Sequence, residues 1–154
     1  MVAAMFLKAL LRQPRSDELQ ALVEGWAKKQ SKNQQWSVVV QDIANDANRV
    51  AVNDRSTYYM ASLYKLFITL PLTQKHPLHT WNTTPVKTDT SVKPLSDCVE
   101  VMISKSDNPC GEAIGKMVGW NTAAKAAKSR GMTDTVLTSN DLRSSARDVA
   151  SYMV

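Results

Sequence analysis

Apolar residues fall into distinct patterns along this chain, and each pattern predicts a different element. Leu19, Leu22, Val23 and Trp26 recur at i, i+3, i+4 and i+7, which predicts an amphipathic helix opened by a Ser16 cap. Trp36 to Ile43 is rich in valine and reads as a strand buried on both faces. Asn45-Asp46-Ala47-Asn48 is a turn signal, so Arg49 to Asn53 is expected to pair back as the second strand of a hairpin. From Ser62 onward, Leu63, Leu66, Phe67 and Leu70 predict a strongly apolar core helix that ends near Pro71.

Beyond that helix the periodicity lapses. Thr73 to Pro94 contains Pro77, Pro85 and Pro94 among Thr, Asn and His residues, and reads as an irregular surface excursion. Four short helical segments are then expected: Ser96 to Lys105, Pro109 to Val118, Asn121 to Arg130, and Ser144 to the end. Gly119 and Gly131 serve as stops, and Thr133 to Asp141 as a connecting loop. There are no repeats and no low-complexity tracts. Helix, hairpin, then helices is an α+β order, a helical subdomain packed beside a small antiparallel sheet.

With 154 residues and 44% hydrophobic content, the chain suffices for one globular domain with a core. The net charge of +5 is mild and its basic residues are scattered. Lys28, Lys29 and Lys32 cluster without interleaved aromatic residues, so they read as a solvated helix end and not as a nucleic-acid platform. No segment approaches the ~20 apolar residues of a membrane span. Met1 to Leu11 lacks a basic start and a clear cleavage site, so a helix packed on the domain is expected there rather than a signal peptide.

Some residues carry chemistry. His76 and His79 form H-x-x-H, but no further ligand lies nearby, so neither a metal site nor any other cofactor is expected. Cys98 and Cys110 fit neither a zinc ribbon nor a C-x-x-C pair. Two buried free thiols, or a disulfide in an exported protein, are equally compatible with their spacing. Ser62-Leu63-Tyr64-Lys65 places a lysine three residues after a serine, on one helical face, so the amine is in reach of the hydroxyl. An amine whose charged form is disfavoured can accept the hydroxyl proton and make serine a nucleophile. Ser106-Asp107-Asn108 stands just before Pro109. Taken alone, Ser62 could be a plain helix cap, and Ser106 or Asn108 the cap of the helix that Pro109 opens.

Together and in this order, the two strings resemble two of the three motifs shared by class A β-lactamases and penicillin-binding proteins. Tyr59 to Phe67 is similar to that family's nucleophile helix, Met102 to Pro109 to its second motif, and Ser144 to Ala150 to its T-T-A-x-D-[LM]-A helix. Trp36 to Asn53 resembles its first two strands, so the likeness runs from about Asp17 to Met153. It implies a β-lactamase-like fold with Ser62 as acylated nucleophile, Lys65 as general base, Ser106 as proton relay to the leaving nitrogen and Asn108 as substrate-amide contact. The Ser62 backbone N–H would be one oxyanion donor.

Two departures qualify the likeness. The deacylating glutamate of an E-x-x-L-N segment has no counterpart, since the interval holds Glu112, too close to Asn108, and then only Asp134 and Asp141. The K-T-G motif is missing too; Lys87-Thr88-Asp89 and Lys128-Ser129-Arg130-Gly131 are the nearest strings. The expectation is therefore one partial catalytic domain over residues 1–154, with two strands at about 36–53, a helical portion from about 62, and the C-terminal strands absent. Such a hairpin is marginal alone, so self-association or complementation by the missing strands is expected. The implied substrates are β-lactams or peptidoglycan stem peptides ending in D-Ala-D-Ala, in a periplasmic, extracellular or cell-envelope setting. The implied alternatives are a penicillin-binding D,D-carboxypeptidase and an inactive binding module of the same fold.

Overall fold

A computed structural model describes residues 16–45 and 48–153. The expected N-terminal helix over Met1 to Leu11 lies outside the described residues, as do Asp46 and Ala47 of the hairpin turn. The chain forms two compact units that meet in sequence between Val52 and Asn53.

The first unit contains α1 (Ser16–Lys28), β1 (Val38–Gln41) and β2 (Arg49–Val52). Asp17 and Glu18 in the first turn and Lys28 in the last complement the helix dipole. β1 and β2 pair antiparallel, Val39 opposite Ala51. The Gln20 side chain bridges α1 to the hairpin: its amide donates to Ala51 O and its carbonyl accepts from Ala51 N, both at 3.1 Å. The expectation of a strand buried on both faces fails, because Val40 is 41% and Ile43 80% exposed. One helix against a two-stranded hairpin covers only one face within this unit. The apolar stripe of α1 is likewise only partly covered; Leu22 stands in solvent while Trp26 meets the Trp36 ring edge-on, with centroids 4.9 Å apart.

The second unit holds the core. It runs through β3 (Thr57–Tyr59), a one-turn 3-10 helix at Ala61–Leu63, α2 (Tyr64–Lys75), β4 (Pro85–Lys87), β5 (Val92–Pro94), α3 (Leu95–Ser104), α4 (Asn108–Val118), α5 (Trp120–Ser129), β6 (Val136–Leu137), β7 (Leu142–Ser145) and α6 (Ala146–Met153). α2 packs against α3, α4 and α5, and Phe67, Ile68 and Leu72 bury there with Leu95, Met102 and Ile114. Pro71 does not end α2, as the sequence suggested, but sits fully buried inside it. Its missing N–H costs one helical hydrogen bond, and burial in the core holds the helix together across it. α6 is tied to α2 through Tyr152, whose hydroxyl donates to Leu66 O at 2.5 Å and whose ring lies 5.0 Å from that of Phe67.

The sheets depart most from expectation. The supposed irregular excursion contains the β4–β5 hairpin, with Val86 opposite Lys93 and Val86 buried. The supposed loop at 133–141 contains β6. β3, β7 and β6 form a three-stranded antiparallel sheet, with Thr57 opposite Ser145 and Val136 opposite Arg143. Ser144 therefore begins no helix; it lies within β7, and the helix starts at Ala146. Asp148, 1% exposed, anchors the following helix by accepting from the Asp134 N–H at 2.9 Å and the Thr135 hydroxyl at 2.6 Å. No helix among the described residues is long and apolar enough to cross a membrane.

Candidate active site

Ser62 lies in the middle of the 3-10 turn and Lys65 in the first turn of α2. The 3-10 turn runs straight into α2, so residues three apart across the junction share one face. Lys65 Nζ is 3.2 Å from Ser62 Oγ. Residue 61, immediately before the serine, is an alanine with φ +44°, in the left-handed region.

The opposite wall is the turn between α3 and α4. Lys105 and Asp107 both donate their N–H groups to Val101 O, at 3.0 and 3.2 Å, closing the end of α3. Ser106 between them adopts φ +57°, again left-handed. For a residue other than glycine this costs on the order of 1–2 kcal/mol. It aims both the carbonyl and the hydroxyl of Ser106 at Lys65, whose Nζ lies 2.5 Å from Ser106 O and 3.1 Å from Ser106 Oγ. Asp107 caps α4 by accepting from the Cys110 N–H at 2.8 Å. That cap turns Asn108 so that its Oδ1 lies 2.7 Å from Lys65 Nζ. Two left-handed residues without glycine, one on each wall, mark the site as strained, a common property of functional centres.

Lys65 is 2% exposed, while Ser62, Ser106 and Asn108 are exposed. Burial pushes its pKa below the ordinary lysine value, against the opposing pull of Asp107 and Glu112. Four oxygens surround the amine: the carbonyl oxygens of Ser106 and Asn108, which can only accept, and the hydroxyls of Ser62 and Ser106, which can accept or donate. None of the four partners is a carboxylate.

Cys98 on α3 and Cys110 on α4 form a disulfide, which decides between the two alternatives left open by their spacing. It straddles the Ser106–Asn108 turn, and both half-cystines are buried. Gly111, one residue later, escaped sequence reasoning. A Cβ there would lie 2.6 Å from the Tyr64 hydroxyl oxygen and 2.8 Å from Lys65 Cε, so α4 approaches the lysine only because this position has no side chain. A glycine inside an otherwise good helix was the available signal.

The four residues singled out in the sequence thus meet at one place. The nearest approximations to K-T-G serve local roles instead. Thr88 turns the β4–β5 hairpin through its bonds to Ser91, and Lys128 lies in the last turn of α5. Among the described residues no three His, Cys, Asp or Glu side chains cluster as a metal site would require.

The model of the β-lactamase enzyme family matches residues 69–154, more than half of the chain, which therefore belongs to that family. The matched stretch includes Ser106 and Asn108 and begins after Ser62 and Lys65. The solved structure of the TLA-1 extended-spectrum β-lactamase superposes with a TM-score of 0.71 at 15% identity, over 84% of this chain and 58% of that one. The chain has the β-lactamase fold and spans less than two thirds of that enzyme's length. No curated protein matches it.

Proposed function

We propose that this chain carries the nucleophile half of a serine hydrolase that forms an acyl-enzyme with β-lactams. The observation that carries the proposal is the Lys65 amine, buried and held between Ser62 Oγ and Ser106 Oγ by two acceptor-only oxygens. Lys65 takes the Ser62 proton as Oγ attacks the lactam carbonyl, and the Ser62 backbone N–H is the oxyanion donor that this chain supplies. As the C–N bond breaks, the proton passes from Lys65 through Ser106 to the leaving nitrogen. Asn108 Oδ1 stays on Lys65, which leaves its NH2 group to hold the substrate's amide carbonyl. Water then cleaves the ester and restores Ser62. The Cys98–Cys110 bridge suits an oxidising compartment, so an extracellular or periplasmic setting belongs to the proposal.

A second reading is a D,D-carboxypeptidase acting on peptidoglycan stems. It is favoured by the all-neutral set of oxygens around Lys65, which includes no carboxylate to activate a hydrolytic water. Intact-mass measurement after incubation with a penicillin tests both. An adduct that maps to Ser62 and is lost in Ser62→Ala is expected; an unmodified protein would refute the acyl-enzyme. Turnover of a chromogenic cephalosporin then separates the lactamase from the slow acylator.

A further inference from the structure

Besides its four oxygens, the Lys65 amine has an aromatic neighbour. Its Nζ stands 5.8 Å from the centroid of the Tyr64 ring, inside the roughly 6 Å over which an aromatic face attracts a cation. Tyr64 opens α2 and is buried. Its ring is braced on two sides. On one side the ring of Trp120, the first residue of α5, lies 5.6 Å away at 54°. On the other, α4 brings up Gly111, where a Cβ would come within 2.6 Å of the Tyr64 hydroxyl oxygen. Trp120 rests on the same helix, for a Cβ at Gly115 would lie 2.7 Å from its Cζ2. Gly111 and Gly115 are one turn apart and share a face of α4. That face, bare of side chains, admits both aromatic rings.

A ring fixed in this way matters because the amine changes charge. When the Lys65 lone pair takes the Ser62 proton, the Oγ electron pair goes to the substrate carbonyl carbon and an ammonium is left behind. It forms where the lysine is almost wholly buried, so water does little to stabilise it. The negative face of an aromatic ring attracts a desolvated cation more strongly than an exposed one. The titratable groups that act on the pair are Asp107 at the cap of α4, Glu112 on α4 and, for Tyr64, Tyr59 on β3. The α3–α4 turn presents the neutral Ser106 and Asn108, and α5 the neutral Trp120. Burial raises the Tyr64 phenol above its ordinary value, which favours its neutral form.

We propose that Tyr64 is a positioning residue for Lys65: its ring, clamped by Trp120 against the glycine face of α4, holds the amine beside Ser62 and stabilises the ammonium formed there. The catalytic consequence rests on the acyl-enzyme reading above. The attraction between ring and ammonium does not, since it exists with or without substrate.

The test varies the electron density of the ring and keeps its shape. Tyr64→Phe is the reference, and trifluoro- and pentafluorophenylalanine are then placed at position 64 of the 154-residue chain. The first readout is the alkaline NMR titration of the Lys65 side chain in Ser62→Ala, its signal assigned by its loss in Lys65→Met. The titration midpoint should fall stepwise with fluorination, by about 0.5–1.5 pH units in all. Trp120→Leu, which frees the ring, should flatten that dependence, with folding verified by circular dichroism. The second readout is penicillin acylation with Ser62 in place, where the midpoint of the pH limb should fall in the same order. A Lys65 midpoint that ignores fluorination, or rises with it, would overturn the role of the ring. A midpoint that follows fluorination in chains that penicillin never labels would uphold the ring and refute the acyl-enzyme.

Discussion

Gly111 lies so close to Lys65 that a Cβ on the glycine would come within 2.8 Å of the lysine Cε. The lysine's reach to Ser62 and Ser106 thus depends on a residue that has no side chain. Gly111→Ala adds helix propensity worth about 1 kcal/mol, while overpacking costs about 1–3 kcal/mol, so the net change in stability should be small. Displacing the amine is a different matter. Misplacement of a reacting group by about 1 Å can cost 10²-fold, and acylation should fall by about tenfold to a hundredfold. Thermal unfolding and penicillin labelling measured on the same variant check both halves; unaltered labelling would show that Lys65 has slack.

The buried amine also sets a pH dependence. Desolvation lowers the Lys65 pKa below 10.5, so Ser62 acylation should rise with pH along a limb whose midpoint lies below that value. Lys65→Met should abolish the limb and slow acylation by roughly 10²–10⁴-fold. The stability consequence has a definite sign. Between the folded-state value and 10.5 the unfolded chain binds more protons, so the Lys65 contribution favours folding above 10.5 and is lost as pH falls through the lower folded value. Denaturation of wild type and Lys65→Met across the alkaline range should show wild type gaining relative to the variant as pH rises.

The Cys98–Cys110 disulfide closes a short loop that contains the whole Ser106–Asn108 turn. Removing it should cost about 3 kcal/mol through the entropy of the unfolded chain. The double variant Cys98→Ala/Cys110→Ala should therefore unfold at lower denaturant and acylate more slowly, because the left-handed Ser106 loses its brace. Thiol titration of the denatured, unreduced protein should find no free sulfhydryl among these two.

Deacylation should be slow. Lys65 is partnered by neutral oxygens only, and Glu112 acts on it through space from an exposed position on α4. Rapid-mixing kinetics with a chromogenic substrate should show a burst followed by a much lower steady rate. Fast turnover without a burst would require a water-activating group elsewhere.

Local signals made much of this molecule readable before its folding was known. Ser62 and Lys65 are three residues apart, Ser106 and Asn108 two, and such spacings say which side chains share a turn whatever the rest of the chain does. α3, α4 and α5 fall within a residue of their expected starts and stops, because Pro109, Gly119 and Gly131 act on the backbone in place. What the sequence by itself determined was therefore the chemistry-bearing turns and the helices that carry them. The three-dimensional packing decided the rest. β3 and β7 pair Thr57 with Ser145 across most of the second unit, and strands of two to four residues are too short to show any alternation. Pro71 stays helical because tertiary burial overrides its local preference. The left-handed Ser106, the glycine beneath Lys65 and the Tyr64 ring beside its amine come together where α2, α3 and α4 converge. Distances between elements far apart in sequence are set by how side-chain volumes fit together, and no spacing along the chain encodes them.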